Sequence, residues 1–286
     1  MNANAGNASR RPHSRYLGLL VPGFFALLLS CGDDSASDAG TDAGADAGPD
    51  VGPDVGADAE ADVGVDGGGP AALLVFSRTA GFRHDSIAAG LAMIESIAAD
   101  RGWSTVQTED PSTFIALLDG VDVTVWLNTS GDVLDDDQQA AFEAWYRAGG
   151  GWVGVHAASD TEYDWPWYGD LVGAWFANHP AIQDAQYVRE SDVHPAVAHL
   201  DARWLRRDEH YNFRRNPRDV GVEVVLTIDE SSYDGGDMGD DHPIAWGRDF
   251  DGGRTFYTAL GHTVESYSEE DFVRHVAGAI DYVLAR

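Results

Sequence analysis

From residue 71 onward the chain alternates short apolar runs with longer stretches whose apolar positions recur every three to four residues. Residues 71–76 (AALLVF) have strand length, and a polar loop from Ser77 to Phe82 follows. Asp85 offers a helix cap, and Ile87, Leu91, Ile94 and Ala98 then repeat at helical spacing until Arg101-Gly102. Residues 103–107 predict a second strand, 111–118 a second helix and 121–127 (VDVTVWL) a third strand. Asp135 and Gln138, three positions apart, resemble a capping box; the helix they open carries Phe142 and Trp145 and ends at Gly149-Gly150. Residues 152–155 read as a fourth strand. Further strands are expected at 222–228, 243–247 and 254–259, with a closing helix over 269–284; between about 185 and 222 the pattern is weak.

Strand and helix thus alternate three times before Gly149. The pattern predicts an α/β fold with an open, mostly parallel sheet covered by helices on both faces. In such a fold ligands bind beyond the carboxyl ends of the strands. Those ends fall at 77–84, 128–131 and 156–167.

The 70 residues before this domain differ in kind. Residues 17–30 are apolar but short and broken by Pro22, and they follow a basic segment with Arg10, Arg11 and Arg15. This has the shape of an export signal rather than a membrane span. It runs into Leu28-Leu29-Ser30-Cys31, which resembles a bacterial lipobox, so residues 1–30 are expected to be a signal peptide and Cys31 a lipidated anchor. Gly32 rather than Asp follows, which would favour a Gram-negative outer membrane. In residues 31–70, Asp recurs every fourth position from 38 to 66 among Ala, Gly, Val and Pro. Like charges at that spacing, with glycine and proline, oppose a helix and predict an extended, disordered tether. Residues 71–286 are left as one domain.

Composition narrows the chemistry. The chain has 48 acidic against 18 basic residues, a formal charge of −30, and a surface of that sign repels nucleic acid. There is no lysine, which excludes Schiff-base chemistry and a Walker-type phosphate loop. Cys31 is the single cysteine, so the domain holds neither a disulfide nor a thiolate nucleophile.

Five segments, FSRTAGFRHDSI (76–87), GGGWVGVHAASD (149–160), DEHYNF (208–213), DHPIAW (241–246) and GRTFYTALGHT (253–263), resemble the ThuA-like, or trehalose-utilisation, family in the family's own order. The resemblance implies a flavodoxin-like fold of the class I glutamine amidotransferase kind and a link to carbohydrate metabolism. Amidotransferases carry a cysteine on the elbow after the corresponding strand, and here His156 takes that seat. Their catalytic histidine follows a late strand, a placement that His262 matches. Glutaminase activity is thereby excluded.

Two imidazoles at neighbouring strand ends suit acid–base work on a sugar or keto-sugar. Candidate catalytic residues are His156, His262, Asp160 and His84. Arg78 and Arg83 are candidates to hold a hydroxyl or carboxylate, and either Glu209 or His210 is expected to reach the pocket. Trp165 and Trp167 flank Pro166 directly after the elbow and offer a sugar platform, or else core packing. His84, His156 and His262 converging would also suit a zinc-like divalent ion, although no HExxH marks one. His179, His194, His199 and His242 carry less weight, since three of them precede proline and read as turn residues. The expected ligand is a small carbohydrate, with membrane contact through the lipid anchor alone. A non-catalytic carbohydrate-binding lipoprotein is the alternative.

Overall fold

The computed structural model describes residues 69–285. The signal segment, Cys31 and the acidic tether lie outside the described residues. In chain order the elements are β1 (Ala72–Phe76), α1 (Ile87–Arg101), β2 (Ser104–Thr108), α2 (Pro111–Leu117), β3 (Val123–Leu127), α3 (Asp136–Arg147) and β4 (Gly151–Val155). There follow α4 (Pro166–Val172), β5 (Phe176–Asn178), β6 (Gln183–Arg189), β7 (Arg203–Asp208), β8 (Asn212–Phe213), β9 (Glu223–Asp229), β10 (Pro243–Phe250), β11 (Gly253–Thr258) and α5 (Glu270–Leu284).

Nine strands form one sheet in the order β2-β1-β3-β4-β11-β10-β9-β6-β7. The first five are mutually parallel, and β10, β9, β6 and β7 extend the sheet by antiparallel pairing. β5 and β8 make a separate two-stranded ribbon. β1, β3 and β4 are apolar almost throughout because helices cover both faces, whereas β2, STVQT at the sheet edge, is largely exposed. Trp126 of β3 packs on Phe114 of α2 and Phe142 of α3. Its neighbour Leu127 would collide with a side chain at Gly90 of α1. Successive strand residues point to opposite faces, so α1 lies on one side of the sheet and α2 and α3 on the other.

Local chemistry accounts for the element boundaries. In α3 both halves of the capping box form: Gln138 N–H donates to Asp135 Oδ1 at 2.9 Å, and Asp135 N–H to Gln138 Oε1 at 3.0 Å. Gly102 closes α1 in the left-handed region, its N–H reaching the carbonyls of Ala98 and Ala99. The expected cap at Asp85 is corrected: Ser86 occupies that position and makes no side-chain cap, its hydroxyl turning instead toward the Gly261 carbonyl. The weak stretch after 185 contains most of β6 and all of β7 and β8; β7 buries Arg206 and exposes Leu205, and β8 is two residues long, so polarity does not report their burial.

One long-range feature positions the site. β7 lies four places from β11, about 19 Å away on a flat sheet. Yet Asp208, at the end of β7, hydrogen-bonds Gly261 and His262, just past β11. The antiparallel half therefore curls back over α5, and the Arg206 guanidinium lies 4.9 Å from the Phe272 ring centre. Among the described residues no helix is long and apolar enough to cross a membrane.

Candidate functional site

β4 ends at Val155, and the chain turns sharply at His156, whose φ of +51° is left-handed. A residue other than glycine, asparagine or aspartate adopts this region at a cost, so neighbours must hold it. His156 Nδ1–H donates to the Ala259 carbonyl at 2.7 Å, and the Tyr257 hydroxyl donates to the His156 carbonyl at 2.8 Å. The ring packs against Tyr211, centroids 4.2 Å apart. Gly154 makes room below, because a Cβ there would sit 2.2 Å from the Trp152 ring. His156 opens a five-residue 3₁₀ turn rather than an α-helix.

Three further side chains close on His156. His262 Nδ1 is 3.2 Å from His156 Nε2, and Glu209 Oε2 is 3.0 Å from His262 Nδ1 and 3.5 Å from His156 Nε2. His84 stands edge-on to both imidazoles, at centroid distances of 4.8 and 5.0 Å. One donor atom from each of the four lies within 4.8 Å of the others, and the group could hold a metal ion. The elements responsible are the β1–α1 loop, the β4 elbow, the β7 end and the β11 end, all beyond the carboxyl edge of the parallel strands. Two bridges between these loops, Thr79 with Ser130 and Gly131 with Thr161, tie that edge together.

The local field is uneven. Burial, then the neighbouring imidazoles, push the His84 pKa down to about 3, so this ring is neutral at physiological pH. Burial works against the Glu209 carboxylate, but His156 and His262 outweigh it and hold its pKa well below the usual range. Burial also opposes charge on His262, and Glu209 overcomes it, raising the His262 pKa. His156 is fully buried behind these groups.

A cleft of about 250 Å³ reaches the cluster from outside. Phe82, Ile182 and Val264 form its apolar wall, and His84 and His262 line its inner end. Phe82 is 65% exposed, unusual for an aromatic ring, and meets His84 edge-on at 4.8 Å.

The residues expected from sequence divide clearly. His84, His156 and His262 come together, and of the Glu209-His210 pair it is Glu209 that joins them. His210 is spent on structure: its Nδ1 accepts from the Tyr187 hydroxyl and its Nε2–H donates to the Gln183 carbonyl. Asp160 stands outside the four-residue group and accepts from the Tyr163 hydroxyl at 2.6 Å. Arg83 pairs with Glu109 at the surface, and Arg78 lends its backbone carbonyl to Ser130; neither lines the cleft. Of the two alternatives for Trp165 and Trp167, the structure shows packing, and neither lines this cleft. Their N–H groups donate to Glu143 and Asp251, and their rings pack on Phe142, Tyr146 and Tyr168. Cys31 lies outside the described residues.

Four further positions around the cluster were not singled out by the sequence reading. Asp208 accepts the N–H groups of Glu209, Gly261 and His262. His179 Nδ1 lies 3.0 Å from the second Glu209 oxygen, Tyr211 backs His156, and Phe82 flanks the cleft. Asp208 and Tyr211 bracket the Glu209-His210 pair within the DEHYNF segment, the available signal for these two.

The profile of the ThuA family, described as trehalose utilisation, matches residues 72–283. A solved protein of Bacteroides uniformis described as ThuA-like superposes with a TM-score of 0.64 at 21% identity, covering 76% of this chain and 93% of its own. A second, from Parabacteroides merdae, gives 0.62 at 18% identity, covering 76% and 91%. At these identities the superpositions speak for the fold. No curated protein sequence matches significantly.

Proposed function

The chain belongs to the ThuA family, and from that premise we propose that it acts on a sugar or keto-sugar by histidine-based acid–base chemistry. The observation that carries this reading is the convergence of His84, His156, His262 and Glu209 at the carboxyl edge of the sheet, beneath one small cleft. His84 and His262, which line that cleft, are the imidazoles placed to exchange protons with a substrate. His156 is buried behind them and acts through its neighbours. The cleft suits one sugar ring: Phe82, Ile182 and Val264 offer apolar contact, while Thr263, Asp85 and Glu265 offer hydrogen-bonding groups. With Asp85 and Glu265 as the charged lining residues other than histidine, the cleft favours a neutral sugar over a phosphorylated one. The absence of cysteine beyond residue 31 removes glutamine hydrolysis by a thiolate. Export and membrane anchoring through Cys31 are part of the same proposal, resting on the lipobox-like sequence.

The test is incubation of the full chain with 3-keto-glycosides and with unmodified disaccharides, followed by product analysis. Turnover of one class, abolished in His84→Ala with the fold retained, supports the enzyme. Saturable sugar binding without turnover of either class would overturn it in favour of a carbohydrate-binding protein.

A further inference from the structure

We propose that His156, His262 and Glu209 form the three-ligand face of a divalent metal site of the zinc type, with His84 across the open fourth position. The inference deepens the reading above by naming the ion at that site, yet it stands on the donor geometry and is tested without sugar.

Three observations support it. Zinc bonded to nitrogen and oxygen at about 2.0–2.1 Å holds tetrahedral ligands about 3.3 Å apart. The three donors here are 3.0, 3.2 and 3.5 Å apart, close to one face of such a tetrahedron. The longest separation in the group, 4.8 Å, therefore involves His84, which leaves room for water or substrate between it and the ion.

The second observation is orientation. A carbonyl only accepts, so the 2.7 Å contact with Ala259 fixes the proton on His156 Nδ1 and turns the Nε2 lone pair inward. Metal-binding imidazoles are typically held by such outer partners. The other Glu209 oxygen lies 3.0 Å from His179 Nδ1, whose proton goes to the Pro180 carbonyl at 2.8 Å.

Third, the arrangement is poor as a purely structural one. His156 Nε2 faces the cluster interior from a fully buried ring, where it reaches no substrate. His84 Nδ1 is buried with no hydrogen-bond partner among the described residues. A cation would replace the 3.2 Å contact of the His156 lone pair with His262 Nδ1, and its water would give the unpartnered His84 Nδ1 a partner. Two imidazoles and a carboxylate with one open position are a donor set suited to zinc rather than to calcium or magnesium. With the ion in place, His84 is the imidazole left to exchange protons in the cleft.

The experiment uses the full chain, stripped with a chelator and then equilibrated with zinc or cobalt(II) alone. We expect one tightly held ion per chain by elemental analysis, a visible cobalt spectrum of tetrahedral intensity that zinc abolishes, and a zinc-dependent rise in melting temperature. His156→Asn and Glu209→Gln should each weaken zinc binding on the order of 100-fold. An ion content near zero in the wild-type chain would overturn the inference and needs no variant to interpret. Unchanged affinity in both variants would overturn it too, placing the ion at surface carboxylates. Because no sugar enters these measurements, a failure of sugar turnover leaves the ion count standing. Conversely, an ion-free chain that turns over sugar removes this inference alone.

Discussion

The carboxylate of Asp208 accepts the backbone N–H of His262 at 3.1 Å through Oδ1 and that of Gly261 at 2.9 Å through Oδ2. Oδ1 also takes the N–H of Glu209, so one buried side chain sets the backbone of two members of the cluster. Arg206, itself buried, balances the charge from 3.3 Å and is bonded in turn to Ser266 and Glu269. Removing one partner of such a pair leaves the other charged and buried. Asp208→Ala should therefore cost about 3–5 kcal/mol in chemical denaturation. In Asp208→Asn, which keeps one acceptor oxygen, the loss should be smaller while turnover still falls. A variant as stable as wild type would show that Asp208 does not clamp these loops.

His156 can be tested without disturbing the elbow. Asparagine tolerates left-handed backbone better than most residues, and its amide can still donate toward the Ala259 carbonyl. His156→Asn is expected to keep the fold by circular dichroism while lowering turnover about 10–100-fold, as for a group that acts through its neighbours. Full activity in this variant would reduce His156 to packing.

The two groups of aromatic residues should behave oppositely. Phe82→Ala removes an exposed ring at the cleft, so stability should stay within about 0.5 kcal/mol of wild type. KM should rise about five-fold, equivalent to the roughly 1 kcal/mol typical of an aromatic contact. Trp165→Ala, which empties a packed site, should cost about 3–5 kcal/mol and leave KM alone. Steady-state kinetics beside denaturation curves would expose the reverse assignment.

Acid should unfold the domain early. Burial lowers the pKa values of His84 and His275 to about 3 and of His194 and His210 to about 4, against an ordinary 6.5. Below pH 6.5 the unfolded chain binds protons at these rings and the native state does not, so stability falls as pH falls. Each ring contributes about 1.4 kcal/mol per pH unit across that window. His262, with a raised pKa, works the other way; its contribution is present below 6.5 and is lost as pH rises through the folded value. Burial lowers His199 and His242 as well, and six against one predicts a melting temperature that drops steeply from pH 6.5 to 4. A flat profile there would mean these rings are solvated.

For the anchor, Cys31→Ser should move the chain from the membrane fraction to the soluble one after cell breakage. Persistent membrane association would remove the lipidation proposal.

How much of this was legible beforehand follows from the range of each interaction. The first four strands, the Asp135–Gln138 capping box and the Gly102 stop are written in windows of a few residues, where spacing alone reports which side is buried. The seat of His156 was visible for the same reason, since a short apolar strand ending in a turn is a local pattern. Trp165 and Trp167 stayed open between a sugar platform and core packing because a sequence shows an aromatic pair but not what receives it.

Only the tertiary structure decided that Glu209 rather than His210 reaches the cluster. Adjacent residues at a strand end point in opposite directions, and which one faces inward depends on how β7 is carried back over α5. That curl is held by contacts such as Asp208 to Gly261, 53 positions apart, which no periodicity encodes. The sequence by itself determined the parallel half of the sheet, the elbow and three histidines at its edge. Folding decided which carboxylate joined them, because that choice rests on a long-range curvature assembled from many distant contacts.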